Sequence, residues 1–273
     1  MLSVPVSLKR FSGGFRLEKI KLDFPFNPKW ETVLDPRAKE ILSQPFSYLS
    51  RGSQSYVFLS EDGNYVIKFF RFDLRPSLFK SFFSPLFLSK RKRVDFNTKV
   101  THLFEACKMA YDRAAFETGI VYLHINPTDL DLPVLLCKDA LGRKYHIPLD
   151  RHRFVVQRKV ETFGEAFKNA MQEKNPLAMI RWIDSIFDLV LARSGKWLHN
   201  SDPNLSRNLG FFEGRAIEID FGNYCNCFEL CRPEQRIKEI NRFYRPLHRW
   251  LQEHAPEWVD YLDRRMDQIK QEI

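Results

Sequence analysis

The period of the hydrophobic pattern changes near Glu161, and that change limits the folds open to this chain. Between Phe46 and Val160 apolar residues come in short runs broken by turns; beyond Glu161 they recur at helical spacing. Residues 46–70 read as two or three short strands around a turn at Glu61-Asp62-Gly63-Asn64. Residues 133–138 and 145–149 make two more across Asp139-Ala140-Leu141-Gly142. The Phe-Val-Val run in 154–160 suits a central buried strand. One helix interrupts them over 94–115, where Val100, Leu103, Phe104, Cys107 and Tyr111 share a face. Past Glu161, the set Ile180, Ile183, Ile186, Phe187, Val190 and Leu191 marks a long buried helix stopping near Ser194-Gly195. A hairpin comes next over 209–219 with Glu213-Gly214 as its turn, and two helices, 233–253 and 256–269, close the chain. The expected class is α+β.

At 273 residues and 44% hydrophobic, the chain can bury a full core, as one large domain or two lobes. No apolar run is long enough to span a bilayer, and the first residues lack the order of a secretory signal. The expectation is a cytoplasmic protein with reduced thiols. A net charge of +9 favours polyanions such as nucleotides, nucleic acid or anionic lipid, without choosing among them.

Residues 1–45 read as an extension: Phe15, Leu17, Ile20 and Leu22 alternate only in part, and Pro25, Pro28 and Pro36 interrupt the stretch up to Phe46. Residues 71–93 form a basic, Phe-rich insertion. Within it, 75–93 set Phe79, Phe82, Phe83 and Phe87 beside Lys80, Lys90, Arg91, Lys92 and Arg93. Such a segment suits contact with an anionic membrane surface, or a helix packed on the first lobe with a basic loop after it. Nucleic acid is the weaker partner, because recognition also needs positioned base contacts.

Three residues carry the chemistry of the second half. Asp202, then Asn208 one short loop later, then Asp220 at the end of a hydrophobic strand can hold magnesium and a phosphoryl acceptor together. In the first half, Val66 and Lys68 share one face of a strand while Tyr65, Ile67 and Phe69 share the other. A lysine projecting inward from so apolar a strand calls for an anionic partner. Cys225-Asn226-Cys227 with Cys231 completes no zinc set, so these read as thiols. His124, His146 and His152 read as structural or exposed, and Trp182, Trp197, Trp250 and Trp258 as core.

Tyr48-Leu49-Ser50-Arg51-Gly52-Ser53-Gln54-Ser55-Tyr56-Val57, Tyr65-Val66-Ile67-Lys68, and His199, Asp202 and Asn208 with Asp220-Phe221-Gly222 together resemble the motifs of the protein-kinase-like superfamily. The resemblance covers about residues 46–232. It implies a two-lobed fold: a small antiparallel β-sheet N-lobe with one helix over 46–160, and a reduced helical C-lobe over 161–273. It implies an ATP- and magnesium-dependent phosphotransferase. Gly52 and Val57 match the phosphate-covering loop, with Ser50 and Ser55 where the outer glycines would be and Ser53 between. Lys68, beside Val66, would grip the α- and β-phosphates, paired by Glu105, with Glu117 as the alternative. Asp202 would orient the acceptor hydroxyl and take its proton; Asn208 and Asp220 would hold magnesium, and Gly222 would let the backbone turn sharply.

The chain departs from the family pattern. His199 to Asp202 and Asp202 to Asn208 each contain one residue more than usual, and Ser201 stands where simple counting puts the Asp. Asn200 replaces the catalytic-loop arginine, which argues against control by a phosphorylated activation loop. About ten residues separate Asp220 from Arg232-Pro233-Glu234, leaving little room for peptide-docking helices. A small-molecule, sugar or lipid-linked acceptor is favoured over a peptide. Two further readings stand beside this one: a pseudokinase acting as a nucleotide- or partner-binding scaffold, and a basic membrane- or nucleic-acid-associated protein working through its insertion.

Overall fold

The computed structural model describes residues 13–72 and 96–273; the insertion at 75–93 lies outside them. The chain is α+β and divides into two compact units. One comprises Met1–Glu105 with Val121–Lys159, the other Ala106–Ile120 with Val160–Ile273. No helix among the described residues is long and apolar enough to cross a membrane.

The first unit is built on seven strands: β1 (Phe46–Arg51), β2 (Ser55–Ser60), β3 (Tyr65–Phe70), β4 (Ile120–His124), β5 (Val134–Lys138), β6 (Lys144–Pro148) and β7 (Phe154–Arg158). They form one sheet in the order β4-β7-β3-β2-β1-β5-β6, in which β1 joins β5 in parallel. In the ladder, Val57 faces Lys68 and Lys68 faces Val155. Directly opposed residues share a face, so Val57, Lys68 and Val155 lie on one side. Tyr56, Phe58, Ile67, Phe69, Phe154 and Val156 lie on the other and form the core.

The stretch of residues 13–45, which the sequence sets apart as part of an extension, contributes to that core. Phe15, Ile20, Ala38, Ile41 and Leu42 are all buried in it. Its apolar residues lie on loops and on the short helix α1 (Pro36–Leu42), so no strand period shows. Asp35 caps α1, accepting from Ala38 N at 2.7 Å. On the Lys68 face, Phe70 meets the buried Phe104 of α2 (Phe96–Thr118), ring centroids 5.7 Å apart. His124 and His152 are structural: His124 Nδ1 lies 2.7 Å from His152 O, and burial pulls its pKa down to about 4.

The second unit carries α3 (Phe163–Gln172), α4 (Pro176–Gly195), α5 (Leu205–Asn208), α6 (Pro233–His254) and α7 (Val259–Glu272). Thr162 and Glu165 form a capping box on α3; Asn175 caps α4, accepting from Ala178 N at 3.0 Å ahead of Pro176. Ile183, Ile186, Phe187 and Val190 of α4 pack with Phe243, Leu247 and Leu251 of α6 and with Met266 of α7. The strands β8 (Glu161–Thr162), β10 (Leu209–Phe212) and β11 (Arg215–Glu218) form a second sheet. Glu213 and Gly214 turn its hairpin at φ 49° and 79°, the left-handed pair that a two-residue loop requires. Gly210 has no room for a side chain, since a Cβ would sit 2.3 Å from Val160 Cγ2.

Trp182, Trp250 and Trp258 pack against this core, but Trp197 does not; it is 44% exposed against Phe228. The backbone explains the difference. Trp197 comes just after the end of α4 at φ 56°, with its N–H donated to Ser194 O and its carbonyl accepting from Cys227 N, so the ring is carried outward.

Candidate functional site

Two three-residue strands, β9 (Leu198–Asn200) and β12 (Tyr224–Asn226), pair antiparallel with Tyr224 opposite Asn200 and Cys225 opposite His199. Both are too short to show a period in the sequence. Their pairing returns the chain after Asp220 alongside His199-Asn200.

Two asparagines then join the Asp202 loop to the end of β11. Asn200 is buried: its Oδ1 accepts from Asp202 N at 3.0 Å, and its Nδ2 donates to Asp220 O at 3.3 Å and Glu218 Oε1 at 3.1 Å. Asn208 donates from Nδ2 to Asp202 O at 3.0 Å, and its carbonyl accepts from Ile219 N at 2.8 Å. Asn204 adds a third link, N–H to Asp202 O at 3.0 Å, and caps α5 by accepting from Arg207 N at 3.1 Å. Asp202, Asn208 and Asp220 are thereby held in one cluster. Asn200 is one of its two clamps. Ser201 is exposed and directs its hydroxyl toward Asn223 O at 3.5 Å.

The Asp202 carboxylate is exposed and that of Asp220 half-buried, and Asp220 Oδ1 accepts from Gly222 N at 3.2 Å. Among the described residues neither carboxylate is in an ion pair, while Arg193, Lys196 and Arg242 are paired with glutamates. Asp202, Asn208 and Asp220 each carry a hard side-chain oxygen, the donor type that suits magnesium.

Beneath the cluster lies a charged network whose arginines and glutamates none of the motifs contains. Arg193 of α4 is fully buried; its Nη2 donates to Glu239 Oε1 at 2.9 Å and its Nη1 to Leu198 O at 3.0 Å. Its Nε stands 3.0 Å from Glu218 Oε2, an ionic contact without hydrogen-bond alignment. Tyr224 gives its hydroxyl hydrogen to the same Glu218 oxygen, and burial pushes its phenol well above the usual range. His199 Nδ1 lies 2.9 Å from Glu239 Oε2, and Arg242 Nη1 donates to Asn200 O at 2.6 Å and Glu239 Oε2 at 3.0 Å. The sequence signals were an arginine on the apolar face of α4 and the spacing of Glu239 and Arg242 on α6.

Burial alone would raise the pKa of Glu239, but the hydrogen bond from His199 and the charges of Arg193 and Arg242 bring it to about 2. Its ordinary value is 4.5, so the native state holds this carboxylate ionised where the unfolded chain would protonate it. The stabilisation is complete above pH 4.5 and is lost as pH falls toward 2. A shift of this size corresponds to about 3 kcal/mol. Acid titration of unfolding stability should show that loss, and Glu239→Gln should flatten it; an unchanged acid profile would contradict the role.

In the first unit, the β1–β2 turn is Gly52-Ser53-Gln54. Gly52 N donates to Ser55 O at 2.9 Å, Arg71 N to Gln54 O at 2.8 Å and Arg71 Nη1 to Gly52 O at 3.2 Å. Ser50, Gly52 and Ser53 are exposed and Ser55 is half-buried. The fold itself does not demand a glycine at 52: a Cβ there meets only Ser55, its Oγ at 3.7 Å. Lys68 is half-buried between Val57 and Val155, beside the buried Val66. Glu105 is exposed on α2 next to Phe104. Glu117 is buried within the second unit, 2.5 Å from Lys196 Nζ.

None of the five cysteines is in a disulfide, and among the described residues no three His, Cys, Asp or Glu side chains are grouped to hold a metal. No family model matches the chain, and no curated protein matches it. Among solved structures it is similar to WbdD. The complex of WbdD with the kinase inhibitor LY294002 has 15% identity, a TM-score of 0.39, and coverage of 83% of this chain and 46% of that one. A second WbdD crystal structure has 13% identity, a TM-score of 0.40, and coverage of 84% and 46%. The chain thus spans less than half the length of the structures it matches.

Proposed function

We propose that the protein is a kinase-like phosphotransferase acting on magnesium-bound ATP. The observation that carries this reading is the pair of asparagine clamps, which fasten Asp202, Asn208 and Asp220 into one oxygen-rich cluster. Asp202 accepts the proton of the acceptor hydroxyl as its oxygen attacks the γ-phosphorus. The bond from that phosphorus to the bridging oxygen breaks, and ADP leaves with the electron pair. Asn208 and Asp220 would hold magnesium, which neutralises phosphate charge as it develops. The first unit carries phosphate contacts of its own: the Lys68 cation and the backbone N–H groups of the loop at Gly52. Catalysis is then mainly positioning and charge neutralisation.

Ser50 and Ser55 in place of glycines favour a second reading, a scaffold without catalysis. Thermal unfolding with ATP, with and without magnesium, tests nucleotide binding; measured phosphoryl transfer then separates an enzyme from a nucleotide-binding scaffold. Magnesium-ATP at a hundred times its dissociation constant should stabilise by about 2.7 kcal/mol. Gly52→Ala should leave the ligand-free melting temperature within about 2 °C, because its Cβ makes only ordinary contact with Ser55, while reducing the ATP-induced rise. An absence of any magnesium-dependent rise in the wild type would remove the proposal.

A further inference from the structure

A cavity of about 480 Å³ opens in the second unit, lined by Pro203, Lys238, Asn241, Arg242, Arg245 and Pro246. Pro203 is the neighbour of Asp202 in the chain. Lys238, Asn241, Arg242 and Arg245 stand at i, i+3, i+4 and i+7 of α6, the spacing of one helix face. The volume lies in the range of small-molecule sites. Its wall carries three cations and no carboxylate.

Their charges are not balanced alike. Arg242 is anchored by Asn200 O and Glu239, so one guanidinium is held rigid against the same asparagine that fixes Asp202. Lys238 and Arg245 are exposed and, among the described residues, form no ion pair. A concave, one-signed surface raises the local concentration of anions. An arginine fixed in place beside two adaptable cations suits a phosphate group, which takes several charge-assisted hydrogen bonds at once.

We propose that the phosphoryl acceptor is itself a soluble phosphate ester bearing a free hydroxyl. Its phosphate sits against Lys238, Arg242 and Arg245, and its hydroxyl lies on the Pro203 side, toward Asp202. The ester's role as acceptor rests on the phosphotransfer reading; its binding in this cavity does not. Cationic and neutral acceptors are disfavoured by the same wall.

The test is calorimetric titration of the full chain with glycerol 3-phosphate, with glycerol as the neutral control. Lys238→Ser/Arg245→Ser, altering two exposed side chains outside the Asp202 cluster, should weaken ester binding at least tenfold. Its magnesium-ATP stabilisation should match the wild type. Equal affinity of wild type and variant for the ester, or binding of glycerol as tight as that of the ester, overturns the assignment. Sedimentation with phosphatidylglycerol vesicles without binding of the soluble ester also overturns it, in favour of a lipid headgroup. Ester binding that depends on Lys238 and Arg245 in a chain showing no ATP response would leave the anion subsite standing and remove the phosphotransfer reading.

Discussion

Replacing Asp220 by Asn should abolish magnesium-dependent ATP turnover while the chain keeps its fold. The substitution preserves shape and the Oδ1 acceptor that Gly222 N uses at 3.2 Å. The backbone carbonyl that Asn200 holds at 3.3 Å is unaffected. What disappears is one negative charge at the end of β11, where the proposed magnesium would sit. Metal charge stabilisation is worth several kcal/mol of barrier, so turnover should fall on the order of a thousandfold or more. The measurement is steady-state ADP release against magnesium concentration, beside circular dichroism and a melt to establish the fold. Turnover matching the wild type would remove Asp220 from the machinery.

The second large effect is on stability. Arg193→Met should destabilise the second unit by about 3–5 kcal/mol. Methionine fills similar length without the charge, and so leaves the buried Glu218 and Glu239 carboxylates without their shared guanidinium. Leu198 O also loses its donor at 3.0 Å. Removing one partner of a buried ionic network costs more than the network contributes as a whole, because desolvated charge remains. The double change Arg193→Met/Glu218→Gln should therefore recover part of the loss. Denaturant unfolding with an unchanged m-value reads both. A midpoint shift equivalent to less than about 1 kcal/mol would show that Glu239 and Glu218 are held by their other neighbours alone.

Both effects trace to residues that differ in how visible they are in the chain. Asp202, Asn208 and Asp220 are close in sequence, and the hairpin between Asn208 and Asp220 announces itself through Glu213-Gly214. That hairpin brings Asn208 opposite Ile219 by local register alone. Arg193 and Glu239 are 46 positions apart, and no spacing rule joins them. Asn200 reads as a lost arginine; only the pairing of β9 with β12 shows it clamping both Asp202 and Asp220. Trp197 illustrates the reverse error, since an aromatic residue next to a buried helix is carried to the surface by a left-handed backbone turn. Residues 13–45 place core side chains on loops and on the short helix α1, where no strand period shows.

Local periodicity and turn chemistry, written along the chain itself, determined the α+β class, the change from strands to helices near Glu161, and the face of β3 that carries Lys68. Each depends on neighbours within a few residues, where φ/ψ preference and alternation act directly. The tertiary structure alone decided which side chains hold the Asp202 loop: a buried asparagine, and an arginine–glutamate network drawn from α4, β11 and α6. Those contacts form only when burial removes water from charges far apart in sequence. The energy that selects them is desolvation balanced by pairing, which no single segment of the chain contains.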